Sequence, residues 1–371
     1  MRLVVFFSRG MSLAGWQRAG ILDRELALYR ELLPHLEHLA FVTYGGAEDV
    51  ELGRQIPGVG VLPNLRGLPP NLYSVISPWL HRGVLRQATV FKTQQLNGAW
   101  SAVIAKRWFG KTLVVRCGFI WSDFVGRLGE GRLRHAIARR LERLAFQRAD
   151  RAIVASDADR DVVLARYGLP KDAVEVIPNF VDTTMFRPMP DVARELDRVT
   201  FVGRLDEVKN VTALVEAIAG LPGVRLTVVG EGPLRPSLEA RVRAQSLPVE
   251  FLGRVSHAEL PALLNRSAVF VLPSHYEGNP KALVEAMACG VPVVGARAPG
   301  IREILVDGET GVLCGTSPAD IRAALQTLLA DAGLRARVAA GGLAYARNVC
   351  SLKSAAAKEL ALLRALHPAR G

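Results

Sequence analysis

Short apolar runs alternate with segments of helical periodicity along almost the whole chain. The run RLVVFF at residues 2–7 predicts a buried strand, and LDRELALYRELL at residues 22–33 predicts an amphipathic helix. Further strands are predicted at the runs LAFVTY, ATVFKT, TLVVRC, RAIVAS, RVTFVG, VRLTVVG, VEFLG, AVFVLPS and VPVVGA. Such alternation predicts parallel sheets covered by helices on both faces, and therefore the α/β fold class.

A proline-rich segment interrupts this alternation near the middle of the chain. The segment VIPNFVDTTMFRPMPDVAREL contains three prolines, which cannot continue a helix or a central strand, and the strand pattern restarts after it. A chain of 371 residues is long enough for two domains. We expect Rossmann-like domains over residues 1–188 and 189–350 that face a central cleft, where ligands of open α/β sheets bind. A terminal helix is expected over residues 351–371, with packing back on the first domain as one option.

The charge of the chain is unevenly distributed. Residues 1–190 hold 26 Lys and Arg against 17 Asp and Glu, a balance of +9, and the rest of the chain has a balance of only +3. A basic first half indicates a phosphate-rich partner, such as nucleic acid, anionic lipid or a lipid-linked pyrophosphate.

The cysteines and the apolar runs bear on where the protein acts. Four scattered cysteines without a C-x-x-C pair indicate reduced thiols in a cytosolic protein. The N-terminal apolar run is too short for a signal peptide, and no run approaches the roughly 18 apolar residues of a membrane span. We expect a cytoplasmic protein, with peripheral association at the inner face of the plasma membrane as an option.

The segment SHYEGNPKALVEAMACG at residues 274–290 places two glutamates eight residues apart. Glu277 is predicted on a loop after a strand, and Glu285 inside the following helix, with Asn279 as N-cap and Pro280 as first helical residue. The N–H groups of such a helix end attract phosphate, and the carboxylates could accept hydrogen bonds from sugar hydroxyls. The alternative is that Glu285 is a solvated helix residue and Glu277 a loop charge.

A second segment, FVGRLDEVKNVTALVEAI at residues 201–218, places two cations at a strand-to-helix turn. Gly203 would permit a tight bend, and Arg204 and Lys209 flank it. Two cations in this position would neutralise a diphosphate and stabilise it as it departs. The alternative is a pair of surface charges.

Together the two segments resemble the retaining family-four glycosyltransferases of GT-B fold. The segments VIPNFVDTTMF, VVGEGPLRPSLEARV, FLGRVSHAELPALL and APGIREILVDGETGVL follow in that family's order. The resemblance implies transfer of a sugar from a nucleotide-diphosphate sugar to an acceptor hydroxyl with retention of anomeric configuration. It also implies a glycan or lipid-linked acceptor, a role in bacterial polysaccharide or glycolipid synthesis, and no metal or other cofactor.

The resemblance also implies roles for individual residues. Arg204, Lys209 and Glu277 would be catalytic, the two cations on the diphosphate and the glutamate on the donor sugar. Glu285 would hold the ribose hydroxyls. The remaining implied donor-binding positions are Gly15, Gly203, Arg254, Val255, Gly278, Asn279 and Pro280.

Two features of the first half and two competing functions weigh on this interpretation. Arg116, Cys117 and Gly118 stand where many family members carry a histidine, so a histidine-assisted mechanism is not expected, and Cys117 is interpreted as a small buried residue. Asp157 and Asp159 have the D-x-D spacing of metal-dependent enzymes, but they open a predicted helix, where capping is favoured. The competing functions are a nucleotide-sugar epimerase of the same fold and a nucleic-acid-binding protein, for which no motif is found.

The segment GRLRHAIARRLERLAFQRADR predicts a basic amphipathic helix. Leu133, Ile137, Leu141 and Leu144 form one stripe, which we expect to dock on the sheet. The arginines Arg132, Arg139, Arg140 and Arg143 would then face water, or an anionic membrane in the functional alternative.

Overall fold

The computed structural model describes residues 1–127 and 131–367. It divides into two compact units, Met1–Pro178 together with the chain from Ala355 onward, and Asn179–Ser354. Each unit is built on one parallel sheet with helices around it. The predicted α/β class with two Rossmann-like sheets is confirmed.

The first unit contains a seven-stranded sheet in the order β3-β2-β1-β4-β5-β6-β7, with all neighbouring strands parallel. Its strands are β1 (Arg2–Phe6), β2 (His38–Val42), β3 (Val59–Leu62), β4 (Val90–Thr93), β5 (Thr112–Cys117), β6 (Arg151–Val154) and β7 (Val174–Val176). The central strands are almost wholly buried, as expected where helices cover both faces.

The helices of this unit follow the strands in the order that the sequence predicts. They are α1 (Leu13–Arg18), α2 (Leu22–Leu32), α3 (Ala47–Arg54), α4 (Pro70–Leu80), α5 (Arg82–Gln87), α6 (Ala99–Phe109), α7 (Trp121–Arg127), α8 (Arg132–Arg148) and α9 (Asp157–Tyr167), with 3₁₀ turns at Leu33–His35 and Lys171–Ala173.

The second unit contains a six-stranded parallel sheet in the order β10-β9-β8-β11-β12-β13. Its strands are β8 (Glu195–Val202), β9 (Arg225–Val229), β10 (Val249–Gly253), β11 (Ser267–Leu272), β12 (Val293–Ala296) and β13 (Val312–Cys314). Its helices are α10 (Val211–Ala219), α11 (Arg235–Ala244), α12 (Leu260–Arg266), α13 (Lys281–Ala288), α14 (Pro318–Ala330) and α15 (Ala332–Asn348), with a 3₁₀ turn at Glu207–Lys209.

The strand order of the second sheet reverses between β8 and β11. The chain runs outward through β9 and β10, then returns to place β11 on the other side of β8. In parallel α/β sheets the carboxyl ends of two such strands splay apart and leave a crevice for ligands. The loops after β8 and β11 are therefore the first place to look for a site.

The segment that joins the units packs mainly with the second. Val181 and Phe186 are buried in the core of that unit, which explains why the unit begins at Asn179, earlier than the residue 189 expected from the prolines. The final helix α16 (Leu352–Leu366) belongs to the first unit from Ala355 onward.

Helix α8 does not dock by the stripe that its sequence suggests. Leu133, Ile137 and Leu144 are exposed, and the buried residues of the helix are Ala138, Glu142, Ala145 and Phe146. The prediction of the buried face is wrong because Glu142 has buried partners: it accepts hydrogen bonds from the Ser122 amide and the Tyr167 hydroxyl. A satisfied carboxylate can replace leucine on an inner face.

Within the described residues, no helix is both long enough and apolar enough to cross a membrane.

Candidate active site

The loops after β8 and β11 are tied together at the point where the strand order reverses. The His275 amide donates to the Val208 carbonyl at 2.9 Å. The Asn210 side chain donates to the carbonyls of Pro273 at 3.2 Å and Thr316 at 2.9 Å. Asn210 itself has a φ of 54°, in the left-handed region that asparagine tolerates better than most residues. These bonds fix the loops that carry Lys209 and Glu277.

Lys209 and Glu277 form an ion pair in this crevice. The Lys209 Nζ lies 2.6 Å from Glu277 Oε1, and the buried Ser274 hydroxyl donates to the same oxygen at 2.6 Å. The two charged side chains are only 21% and 10% exposed, so water screens them weakly. The structure therefore brings together two of the residues that the sequence singled out separately.

The backbone of Glu277 is held by a glycine turn that the sequence reading missed. The Glu277 amide donates to the Pro299 carbonyl at 2.9 Å. Gly300 follows with a φ of +83°, and a Cβ there would lie 2.2 Å from the Glu277 carbonyl oxygen. Only glycine combines that conformation with so close an approach. The Pro-Gly pair in APGIREI is the signal that could have revealed this support.

Arg204 lies at the same edge but is far more exposed. Its Nη2 lies 2.9 Å from Asp206 Oδ2, and its side chain is 73% exposed. Asp206 also caps the following 3₁₀ turn through the Lys209 amide. Gly203 is favoured by packing rather than by a positive φ, since a Cβ there would lie 2.9 Å from the Phe201 ring.

Helix α13 begins one residue later than expected. Pro280 is its N-cap with an extended ψ of 99° and provides no side-chain cap, so the assignment of Asn279 as N-cap is wrong. The Asn279 carbonyl accepts a hydrogen bond from the Asn179 side chain at 3.0 Å. The N-terminal turn of α13 thus begins beside Glu277 without a capping side chain, and Gly278, Asn279 and Pro280 form the bend between them.

Glu285 is buried inside α13, which rules out the alternative of a solvated helix residue. It is 5% exposed, and its Oε1 lies 3.2 Å from His257 Nε2. The His257 ring packs against Phe186 with 5.0 Å between centroids. The sequence predicts no role for His257, although it lies in the segment FLGRVSHAELPALL that carries the family resemblance.

The loop after β10 brings Arg254 and Val255 to the same edge of the sheet. Gly253 ends the strand with a φ of +68°, Arg254 is exposed and Val255 is half-buried. Two residues further on, His257 contacts Glu285. The loop is therefore connected to α13 directly.

Gly15, an implied donor-binding position, lies in the first unit. It is part of helix α1, and its amide donates to the Ser12 hydroxyl at 2.9 Å. The buried Asp49 carboxylate accepts from the amides of Leu13 and Ala14 at 3.1 and 3.0 Å. An internal carboxylate thus occupies this helix end in the manner of a bound anion.

Cys117 of the first unit is buried as predicted, whereas the capping predicted for Asp157 and Asp159 is made by Ser156. Cys117 is fully buried, and burial raises the pKa of its thiol well above the usual range, which makes it a poor nucleophile. Asp157 and Asp159 lie in the first turn of α9, where the Ser156 hydroxyl caps the Asp159 amide. Over residues 1–127 and 131–367, no group of three or more His, Cys, Asp or Glu side chains is placed to hold a metal ion.

Comparison with protein families covers both halves of the chain. Residues 188–343 match the family described as glycosyl transferases group 1, and residues 28–185 match glycosyltransferase family 4. The chain belongs to the group 1, family-four glycosyltransferases. The predicted family membership is confirmed.

Relatives of this glycosyltransferase include enzymes with different acceptors. It is 34% identical over 214 residues to the glycogen synthase of Mycobacterium tuberculosis, with 54% of this chain and 51% of the relative covered. It is 34% identical over 223 residues to the D-inositol 3-phosphate glycosyltransferase of Acidothermus cellulolyticus, with 53% and 49% covered. The chain spans about half the length of the curated relatives it matches.

Solved structures resemble this glycosyltransferase over nearly its whole length. Anabaena HepE in complex with UDP has a TM-score of 0.81 at 20% identity, covering 98% of this chain and 100% of that one. Sucrose-phosphate synthase from Thermosynechococcus elongatus has a TM-score of 0.81 at 20% identity, covering 99% of each chain. The likeness confirms the GT-B fold.

Proposed function

We propose that the protein is a retaining glycosyltransferase that moves a sugar from a nucleotide-diphosphate sugar to an acceptor hydroxyl. The observation that carries this proposal is the Lys209–Glu277 pair, held in the switch-point crevice beside the start of α13. Family membership supports it, as do relatives named as glycogen synthase and glycosyltransferase and a structural neighbour that binds UDP.

The diphosphate would lie between Arg204, Lys209 and the N-terminal turn of α13. Lys209 is already oriented by Glu277, so its ammonium group can donate to a phosphate oxygen without a large rearrangement. Arg204 is exposed and can swing from Asp206 to the phosphate. These cations and the helix dipole would stabilise the charge that grows on the leaving diphosphate.

The two glutamates would hold the sugars on either side of the diphosphate. Glu277 would accept hydrogen bonds from hydroxyls of the transferred sugar, with backbone groups of Gly278, Asn279 and Pro280 beside it. Glu285 would accept them from the ribose, and Arg254 and Val255 would line the base. Carboxylates suit this role because charge-assisted hydrogen bonds are strong and directional.

The transfer would proceed on the face from which the diphosphate leaves. The acceptor oxygen forms the new bond to the anomeric carbon as the bond to the phosphate oxygen breaks. Its proton passes to that departing oxygen. No protein base is required, and the chain's own cations take the place of a metal ion.

The acceptor would be a glycan or a lipid-linked sugar in bacterial polysaccharide or glycolipid synthesis. The basic first half of the chain supports an acceptor at an anionic membrane surface, with the protein located in the cytoplasm or peripherally at the inner membrane.

A ligand screen followed by product analysis tests this function. A nucleoside diphosphate that binds the folded protein should raise its melting temperature, since a ligand at about 100 times its Kd adds about 2.7 kcal/mol of stability. UDP, GDP and ADP identify the base, and the matching sugar nucleotides are then incubated with and without acceptor. Formation of an epimer without acceptor, or no response to any diphosphate, would contradict the proposal.

A further inference from the structure

Helix α4 of the first unit exposes apolar side chains and buries serine side chains, the reverse of an ordinary surface helix. Leu72, Val75 and Trp79 are 48%, 50% and 52% exposed and recur at the spacing of one helix face. Ser74 and Ser77 are buried on the inner face. A helix at the surface of a soluble protein normally presents polar side chains to water.

The buried serines of α4 have internal partners, so its orientation is firmly set. The Ser74 hydroxyl lies 2.7 Å from the Tyr44 hydroxyl and donates to the Pro70 carbonyl at 2.6 Å. The Ser77 hydroxyl lies 2.9 Å from the Ser101 hydroxyl of α6. The helix cannot rotate to bury its apolar stripe without breaking these bonds.

Helix α8 also exposes apolar side chains, although most of its buried residues are apolar as well. Its inner face contains the satisfied Glu142, and its outer face exposes Leu133, Ile137 and Leu144. Trp108 of α6 is also 52% exposed.

Helices α4, α6 and α8 belong to one layer of the first unit. They lie on the crossovers from β3 to β4, β4 to β5 and β5 to β6, which all run in the same direction across the sheet. Right-handed crossovers in one direction place their helices on one face. Helix α6 packs against both of the others. The exposed side chains of the layer, which we name the apolar layer surface, are Leu72, Val75, Trp79, Trp108, Leu133, Ile137 and Leu144.

Charge decides what this surface would meet. Residues 52–122 contain nine Lys and Arg residues and no Asp or Glu, and all of these cations except the buried Lys92 and Arg116 are at least partly exposed. Among them, Arg82 stacks on the Trp79 ring at 5.0 Å, so a cation lies directly beside the apolar stripe. Helix α8 adds six exposed arginines, namely Arg132, Arg134, Arg139, Arg140, Arg143 and Arg148.

We propose that the apolar layer surface docks on an anionic lipid bilayer, with its apolar side chains among the acyl chains and its arginines at the headgroups. Tryptophan and arginine suit this interface because each has an apolar body and a polar end. A second copy of the chain fits poorly, since it would bring two basic surfaces face to face. The inference rests on the membrane location given under the proposed function and names the surface that would make the contact; it does not depend on which donor is used.

The placement would bring a membrane acceptor to the ligand-binding edge of the first sheet. Asn71 in the first turn of α4 accepts a hydrogen bond from Arg9, which follows β1, at 2.7 Å. The carboxyl ends of parallel strands, such as that of β1, are where such sheets bind ligands.

Vesicle co-sedimentation of the full-length protein tests this surface. Vesicles with phosphatidylglycerol should bind the protein, vesicles of phosphatidylcholine alone should not, and added NaCl should weaken binding. The variant Leu72→Ser/Val75→Ser/Trp79→Ser should partition about tenfold more weakly. The matched control Leu196→Ser/Leu252→Ser/Val306→Ser removes three exposed apolar side chains of the second unit and should bind like wild type.

A second variant and a second readout make the outcome clear. Arg139→Gln/Arg140→Gln/Arg143→Gln should also weaken binding, without altering the thermal shift caused by a nucleoside diphosphate. Equal binding to neutral and anionic vesicles, or unchanged binding of the serine variant, would overturn the proposal. So would light scattering that shows a wild-type dimer dissociated by the serine substitutions. If no nucleoside diphosphate raised the melting temperature of the wild-type protein, that result would instead refute the proposed transfer reaction alone.

Discussion

Glu277 and Glu285 are separated by eight residues and have different surroundings. Glu277 accepts hydrogen bonds from the Lys209 ammonium and the Ser274 hydroxyl. Both groups could also donate to an oxygen of a bound ligand. Glu285 is buried and paired with a histidine. The first is suited to the transferred group and the second to the part of the donor that remains with the product.

Conservative substitution should separate these two roles. Glu277→Gln should leave the affinity for the free nucleoside diphosphate nearly unchanged and lower the transfer rate strongly, because sugar placement matters most at the transition state. Glu285→Gln should weaken binding of sugar nucleotide and free diphosphate alike, by about 1–2 kcal/mol. Calorimetry and transfer rates measure both, with the exposed Glu250→Gln as control. Loss of diphosphate affinity in Glu277→Gln alone would reverse the assignment.

His257 should act through Glu285. Its ring is held by Phe186 and lies 3.2 Å from the carboxylate, so we expect it to position Glu285. His257→Ala should weaken the diphosphate about as much as Glu285→Gln, and the double variant should be little worse than either, because residues in contact are not additive. Fully additive losses in calorimetry would show that the histidine acts independently.

His81 should make the stability of the first unit depend on pH. Burial lowers its pKa from the ordinary 6.5 to about 4, so the folded protein keeps it neutral. Below pH 6.5 His81 is protonated in the unfolded chain but stays neutral in the folded protein. The free energy of unfolding therefore falls as the pH falls toward 4. The loss is on the order of 1 kcal/mol per pH unit. His81→Gln should reduce this slope in urea unfolding; an unchanged slope would contradict the account.

The sequence indicates candidate site residues by type and spacing, but it does not indicate which residues they contact. Glu277 and Lys209 were each found in a short segment, whereas the bond between them joins residues 68 positions apart. His257 and Gly300 act through contacts that depend on the sheet order. Contacts between residues so far apart in sequence cannot be predicted from local sequence patterns.

At the scale of elements, the strands that the sequence missed are all at sheet edges. β3 and β7 are the edges of the first sheet, and β13 is an edge of the second. They have three or four residues each and are less buried than the central strands. Edge strands need a weaker apolar signal because only one neighbour pairs with them. The long apolar runs of the central strands were predicted correctly.

The C-terminal helix α16 is anchored by a buried ion pair that no local pattern predicts. Lys92 of β4 and Glu359 of α16 are bonded and fully buried, and the Lys92 Nζ lies 5.1 Å from the centre of the Tyr29 ring. Burial lowers the pKa of Lys92, and the carboxylate opposes that shift. The pair is 267 residues apart in sequence.

Replacing one residue of this pair should destabilise the first unit more than replacing both. Lys92→Met leaves a buried carboxylate without its cation and should cost about 3–5 kcal/mol, whereas Lys92→Met/Glu359→Leu should recover much of the loss. Tryptophan fluorescence during urea unfolding measures this, since all five tryptophans lie in the first unit. A double variant no more stable than the single one would contradict the argument.

At the scale of the whole molecule, each unit is an α/β body with one parallel sheet, and family membership extends over both. Alternating periodicity was sufficient to predict the class and the number of domains. The exposed arginines of α8 were predicted, but the exposed apolar side chains of α4 and α8 were not, because the orientation of these helices depends on which buried polar groups find partners.

Divalent metal ions should be dispensable for transfer. Arg204 and Lys209 would supply the positive charge that a metal ion supplies in other glycosyltransferases. The transfer rate should therefore survive EDTA. Loss of activity in EDTA that Mg²⁺ or Mn²⁺ restores would favour a metal-binding role for Asp157 and Asp159.

The central claim is that Arg204 and Lys209 hold the diphosphate at the switch point of the second sheet. Calorimetry of Arg204→Ala and Lys209→Ala with the cognate nucleoside diphosphate and monophosphate tests it most directly. Each variant should bind the diphosphate about 10- to 100-fold more weakly, because a charge-assisted contact is lost, while affinity for the monophosphate changes little. Wild-type affinity for the diphosphate in both variants, or equal loss for both nucleotides, would contradict the account.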